Sequence, residues 1–109
     1  MSYDQNNIFA KILRGEIPCK NVYENEYVLS FHDINPQKKI HVLVIPKGPY
    51  VDLDHFNEAA SDKEIVEFNK AISHVTKLLK ISNTEGGYRV LSNISQNGGQ
   101  EVPHLHYHI

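Results

Sequence analysis

The sequence predicts an α+β fold, with helices packed on one side of a mainly antiparallel sheet. Three observations carry that expectation. Ser61-Asp62-Lys63-Glu64 is a capping box, and an amphipathic helix follows it. Ile40 to Ile45 is rich in β-branched residues, as a strand requires. Short strand-like segments bounded by Gly, Pro and Asn lie on both sides of these two, in the order helix, strands, helix, strands.

Each element has a local reason. Asn6 or Asn7 can cap a short helix over Ile8–Arg14, where Ile8, Phe9, Ile12 and Leu13 form an apolar stripe. Gly15 stands where a left-handed C-terminal residue is needed, and Pro18 closes the unit. Residues 21–24 and 27–32 read as two strands joined by a tight turn at Asn25-Glu26, which lacks the usual Gly. Asp33 to Gln37 is a loop, with Asn35-Pro36 favouring a turn. The strand Ile40–Ile45 stops at Pro46. Residues 51–60 read as irregular, with at most a helical turn, and His55 falls in this loop. The long helix runs from Asp62 to about Lys80. Ile65, Phe68, Ile72, Val75 and Leu79 repeat at intervals of three and four and give it one apolar face. Val66 and Leu78 lie outside that stripe, and His74 falls on the surface. Gly86-Gly87 turns into a strand over Tyr88–Asn93, residues 96–99 turn again, and Val102–Ile109 forms the last strand.

Composition narrows the function classes. The chain has 109 residues, enough for one domain over 1–109, with 40% hydrophobic and 22% charged residues. Its formal net charge of −2 argues against a general nucleic-acid or anionic-membrane binder. No apolar run approaches a membrane span, and the polar, acidic start lacks the marks of a signal peptide. The lone Cys19 can form no internal disulfide, so a cytoplasmic setting is expected.

Histidine is the unusual residue: seven occur, and His104, His106 and His108 alternate in the last six positions. On a strand, alternate side chains share a face, so three imidazoles would line one side. One chemistry is metal binding, with Asp33 and His41 as possible recruits. Two adjacent members could converge on one ion, but the outer two Cα atoms would lie about 13 Å apart on a straight strand, so all three would need it bent. The other is nucleophilic and acid–base catalysis. Neutral imidazole is a good nucleophile near neutral pH, and its attack on phosphorus gives a phosphoramidate that water can hydrolyse. Gly98-Gly99-Gln100, just upstream, would let backbone N–H groups converge on an anion.

His104-Leu105-His106-Tyr107-His108-Ile109 resembles the signature of the histidine triad family, in which histidines alternate with hydrophobic residues. The likeness extends over the chain. Ile8-Phe9-Ala10-Lys11-Ile12 with Gly15-Glu16-Ile17-Pro18 resembles the opening of the Hint branch, the histidine triad nucleotide-binding proteins. Phe31-His32-Asp33-Ile34-Asn35-Pro36-Gln37 and His41-Val42-Leu43-Val44-Ile45-Pro46-Lys47 resemble its central segment, and Asn93 with Gly98-Gly99-Gln100 its pre-triad loop.

That resemblance implies a homodimer whose sheets join across the subunit interface. It implies hydrolysis of the P–N bond of purine nucleoside 5′-phosphoramidates, AMP and GMP derivatives, with no cofactor and no metal. His106 would be the nucleophile, His108 would lie beside the α-phosphate, and His104 and His41 would orient His106 and manage its proton. Asp33 would accept the ribose hydroxyls, as a two-oxygen acceptor can. Phe31, His32, Ile34, Ile8, Phe9, Ile12, Ile17 and Leu43 would form the base pocket, and Asn93, Gly99 and Gln100 the phosphate-side contacts. Ile12 and Leu43 could equally be plain core, and Asp33 could cap its own turn. Glu101 stands where animal members have a Ser that serves the leaving group, and with Val102-Pro103 it resembles bacterial members. Two alternatives stay open: a dinucleoside polyphosphate hydrolase of the same family, and a nucleotide- or zinc-binding interaction protein with little turnover.

Overall fold

The computed structural model describes residues 3–36 and 38–109. Met1, Ser2 and Gln37 of the expected loop lie outside them. The elements are helix α1 (Ile8–Leu13), strands β1 (Asn21–Glu24), β2 (Val28–His32) and β3 (Val42–Pro46), helices α2 (Leu53–Ala59), α3 (Asp62–Leu78) and α4 (Ser95–Gly98), and strand β4 (Tyr107–His108). The strands form one antiparallel sheet in the order β1-β2-β3-β4.

Local chemistry explains the boundaries. Asn7, not Asn6, caps α1: its Oδ1 accepts the Ala10 N–H at 2.8 Å. Gly15, at φ +79°, turns the chain out of that helix. The β1–β2 turn needs no glycine because Asn25 Oδ1 accepts the backbone N–H groups of Tyr27 and Val28. The capping box at Ser61 and Glu64 is fully formed. Beyond α3, Lys80 takes φ +60°.

The sheet is covered on both faces, which differs from the one-sided packing expected. Along β2 and β3, Val28, Val42 and Val44 face α2 and α3, where Phe56, Phe68, Ile72 and Val75 complete the larger core. Leu29, Phe31, Leu43 and Ile45 face the other way and pack with Phe9 and Ile12 of α1. The uninterrupted apolar run Val42 to Ile45 is what two-sided burial requires.

Five local expectations need correction. Residues 51–60 contain a true helix, α2, because Asp52 Oδ1 caps it through the His55 N–H and Phe56 anchors it in the core; His55 is therefore helical. Residues 96–99 belong to a one-turn helix and its left-handed Gly99 cap. Tyr88–Asn93 is not a strand: only Leu91 bridges to His108, while Tyr88 and Val90 are each 40% exposed. Its neighbour β4 is only two residues long, so it offers Leu91 a single bridge and no ladder. Of Val102–Ile109, only Tyr107–His108 is strand, because Leu105 donates to Tyr50 instead of continuing the ladder. Ile40 lies outside β3, while Pro46 closes it, opposite Val28.

Candidate active site

The alternation predicted for the C-terminal segment survives its irregular start. Leu105, Tyr107 and Ile109 pack with the α3-side core. The three histidines therefore project to the opposite face, toward α1. There Phe9 meets two of them edge-on, at ring-centroid distances of 6.2 Å from His104 and 4.9 Å from His106. His106 in turn lies 4.9 Å from His108. On this face a cleft of about 410 Å³ opens, within the range of small-molecule sites. Its walls come from four places: Ile8, Phe9 and Ile12 of α1; Phe31 and Leu43 of the sheet; Asp33, Ile34, Asn35 and His41 of the β2–β3 loop; and Asn93, Gly99, Glu101 and Val102 before the triad. His106 and His108 form part of its lining.

Hydrogen bonding fixes which nitrogen does what. His106 Nδ1 lies 2.7 Å from the His104 carbonyl oxygen. A carbonyl only accepts, so Nδ1 carries the proton and donates. In a neutral ring the lone pair then sits on Nε2. Burial pushes the His106 pKa down, against the opposing pull of that backbone bond and of Asp33 and Glu101. The ring is therefore held neutral, the nucleophilic form.

His104 is fully buried and its Nε2 lies 2.8 Å from the Pro46 carbonyl oxygen, to which it must donate. Burial lowers its pKa from 6.5 to about 4.

His41 Nε2 stands 3.4 Å from Asp33 Oδ2 and 2.9 Å from His108 Nδ1. A carboxylate oxygen can only accept, so the His41 nitrogen carries the proton that both neighbours face. His108 Nδ1 is then an acceptor. Burial, followed by the neighbouring His106 and His41, keeps His108 below its ordinary pKa. A neutral His108 carries its proton on Nε2. That atom is buried and, among the described residues, is the one buried side-chain polar atom with no hydrogen-bond partner. An unsatisfied buried donor calls for a ligand or water acceptor. The cleft thus places a neutral imidazole lone pair on His106 beside an N–H donor on His108. That pairing suits attack on a phosphorus centre while a non-bridging oxygen is held.

Asp33, His41 and His108 each offer a ligand atom within 4.8 Å of the others. A carboxylate and two imidazoles suit a divalent cation. The cation would have to displace the proton shared by His41 and His108.

Most residues singled out in the sequence meet in this cleft; four do not line it. His104 stands behind it, buried. Ile17 packs beneath it against the Phe9 cluster. His32 is exposed and borders an adjoining hollow with Pro18, Cys19 and Lys20, which shares Asp33, Ile34 and His41 with the cleft. Gln100 ties its loop together: Nε2 donates to Val51 and Val102 carbonyls, and Oε1 accepts the Ser95 N–H. The expected anion cradle takes a different form. The N–H groups of Gly98, Gly99 and Gln100 donate to Ile94, Gln96 and Ser95 carbonyls, so they are engaged inside the α4 turn. His41 reaches Asp33 and His108 through its Nε2. Asp33 Oδ1 accepts the Asn35 N–H, so this residue does cap its own turn, and Oδ2 stays beside the cleft. Asn35 and Val102 join the lining unforeseen, since nothing in their local sequence marks them. His74 is exposed, as expected, and stacks on Tyr23.

This arrangement has counterparts. The HIT domain family matches residues 14–109. A 13.2 kDa HIT-like protein of Azospirillum brasilense is 54% identical over 108 residues, covering 99% of this chain and 87% of that one. The structure of a HIT family hydrolase from Clostridium thermocellum superposes with a TM-score of 0.86 at 38% identity, over 96% of this chain and 89% of that one. A histidine triad nucleotide-binding protein from Candida albicans gives a TM-score of 0.82 at 36% identity, over 94% and 72%. With fold, triad and coverage in agreement, the chain belongs to the HIT family.

Proposed function

We propose that this chain is a Hint-type hydrolase that cleaves the P–N bond of purine nucleoside 5′-phosphoramidates. One observation carries the reading. The His104 carbonyl fixes the His106 proton on Nδ1 and leaves the Nε2 lone pair available in a cleft that also holds the buried His108 donor. Similarity to a protein called a HIT family hydrolase and to one called a histidine triad nucleotide-binding protein supports the general class.

In this reading the base lies among Ile8, Phe9, Phe31 and Ile34, an apolar and aromatic wall. Asp33 Oδ2 accepts from the ribose. His106 Nε2 forms a bond to the α-phosphorus as the P–N bond to the leaving group breaks. The leaving nitrogen takes a proton from water at the exposed Glu101 side and departs as the amine. His108 Nε2–H holds a phosphoryl oxygen throughout. Water then attacks the nucleotidyl-histidine, releasing the nucleoside monophosphate and restoring His106. The surface fits a two-fold dimer: Val66 is 47% and Leu78 58% exposed on α3, with Tyr88 and Val90 nearby in sequence to the bridge at Leu91.

Rapid quench with labelled adenosine 5′-phosphoramidate tests the step. Label should appear on His106, and His106→Ala should lose more than about a hundredfold in rate, the usual contribution of such a group, while still folding. A variant that keeps more than that removes His106 from the role. A second reading, a zinc-binding protein with little turnover, is favoured by Asp33, His41 and His108 alone. Turnover that survives a chelator supports the hydrolase, and turnover lost to it supports the metal.

A further inference from the structure

The family match begins at residue 14, yet the N-terminal segment before it reaches the triad. Tyr3 is 101 positions from His104 in sequence, and its hydroxyl lies 2.5 Å from His104 Nδ1. The two rings also meet edge-on, with centroids 5.6 Å apart. His104 Nε2 already donates to the Pro46 carbonyl, so a neutral His104 has only an acceptor left at Nδ1. The Tyr3 hydroxyl must therefore donate. Burial raises the Tyr3 pKa and keeps that hydroxyl protonated, with the Asn7 side chain acting in the opposite sense. Asn7 is itself buried and caps α1, the helix that carries Phe9 into the cleft.

With both ring nitrogens engaged, His104 has no lone pair and no spare proton with which to relay anything. Its carbonyl, however, is what sets the His106 tautomer. We infer that Tyr3 is a positioning residue: by donating to His104 Nδ1 it locks the His104 ring between Tyr3 and Pro46, and so holds the carbonyl that keeps the His106 proton on Nδ1 and its lone pair on Nε2. His104 thereby becomes a pin rather than a proton carrier. The consequence for rate rests on the hydrolase reading above, but the consequence for the His104 ring does not.

The test therefore has two arms. In the first, long-range proton–nitrogen NMR of the nucleotide-free protein reads the tautomers directly. Wild type should show His104 protonated on Nε2 and His106 on Nδ1 at neutral pH. Tyr3→Phe keeps the ring contact and removes only the hydroxyl. It should move the His104 nitrogen signals and raise the pH at which His104 titrates, because the neutral form has lost its donor. In the second arm, Tyr3→Phe should lower kcat for adenosine 5′-phosphoramidate by about 10- to 100-fold, the scale of a slightly misplaced reacting group, with KM within about twofold. The thermal midpoint is measured alongside. A wild-type His104 protonated on Nδ1 overturns the inference before any variant is made. So does a Tyr3→Phe protein with unchanged His104 signals, whether or not its rate has fallen. If wild type shows no turnover but the ring signals behave as stated, the hydrolase reading fails and the Tyr3 lock stands.

Discussion

Acidification should unfold this protein partly through a single side chain. His104 is fully buried, and burial lowers its pKa from 6.5 to about 4, against the favourable bond to the Pro46 carbonyl and with the neighbouring His106 adding to the depression. A base with a depressed folded-state pKa stabilises the fold above its unfolded pKa, and that contribution is lost as pH falls. Between pH 6.5 and about 4 the unfolded chain binds a proton that the native chain refuses, so stability rises with pH across this window. Linkage from those two values gives a loss of about 2 kcal/mol by pH 5 and about 3 kcal/mol by pH 4, relative to pH 8. Against a typical stability of about 5–15 kcal/mol, that is a large share. Urea unfolding at half-unit steps from pH 8 to pH 4 measures it. Carboxylates contribute to the same curve below about pH 5, so the informative quantity is the difference from His104→Gln, whose amide can donate to Pro46 and has no proton to gain. The variant should be less stable than wild type at pH 8, and the gap should narrow by about 2 kcal/mol at pH 5. Parallel curves for the two proteins from pH 8 to pH 5 would refute the reasoning, since they would mean that His104 titrates alike folded and unfolded.

Two further outcomes are expected. Asp33→Asn keeps the oxygen that takes the Asn35 N–H but loses an acceptor at the cleft, so calorimetry should show it weakening ribonucleotides more than 2′,3′-dideoxynucleotides; equal losses would assign Asp33 to its turn alone. Light scattering at micromolar concentration should give twice the 12.5 kDa chain mass, and Val66→Glu should lower it; a wild-type monomer sinks the dimer, and a dimer that tolerates the charge moves the interface off α3.

The sequence by itself determined the elements that carry their own chemistry. Ser61 and Glu64 satisfy the orphan N–H groups of α3 locally, so its start needed no partner to be legible. Asn7 does the same for α1, and the His–x–His–x–His pattern set the shared face of the triad because strand alternation is a property of the backbone. Asp52 followed the same capping rule at α2, yet Leu53 and Phe56 are that helix's only large apolar residues, too few to form a stripe like that of α1. What the tertiary structure alone decided depends on groups far apart in the chain. The apolar run Val42 to Ile45 is compatible with burial on two faces, but only the packing of α1 against one and α3 against the other makes it so. Tyr88–Asn93 has strand-like residues and no ladder, because a strand exists only where a neighbour supplies the hydrogen bonds. The glycines before the triad could have cradled an anion until the α4 turn took up their N–H groups. The protonation pattern of the site is the clearest case. Which nitrogen of His106 is nucleophilic follows from one carbonyl of His104, and the setting of that residue follows from Pro46 and Tyr3, which lie 58 and 101 positions away. No local window of sequence contains those contacts, because burial and hydrogen-bond geometry arise only when the chain has closed on itself.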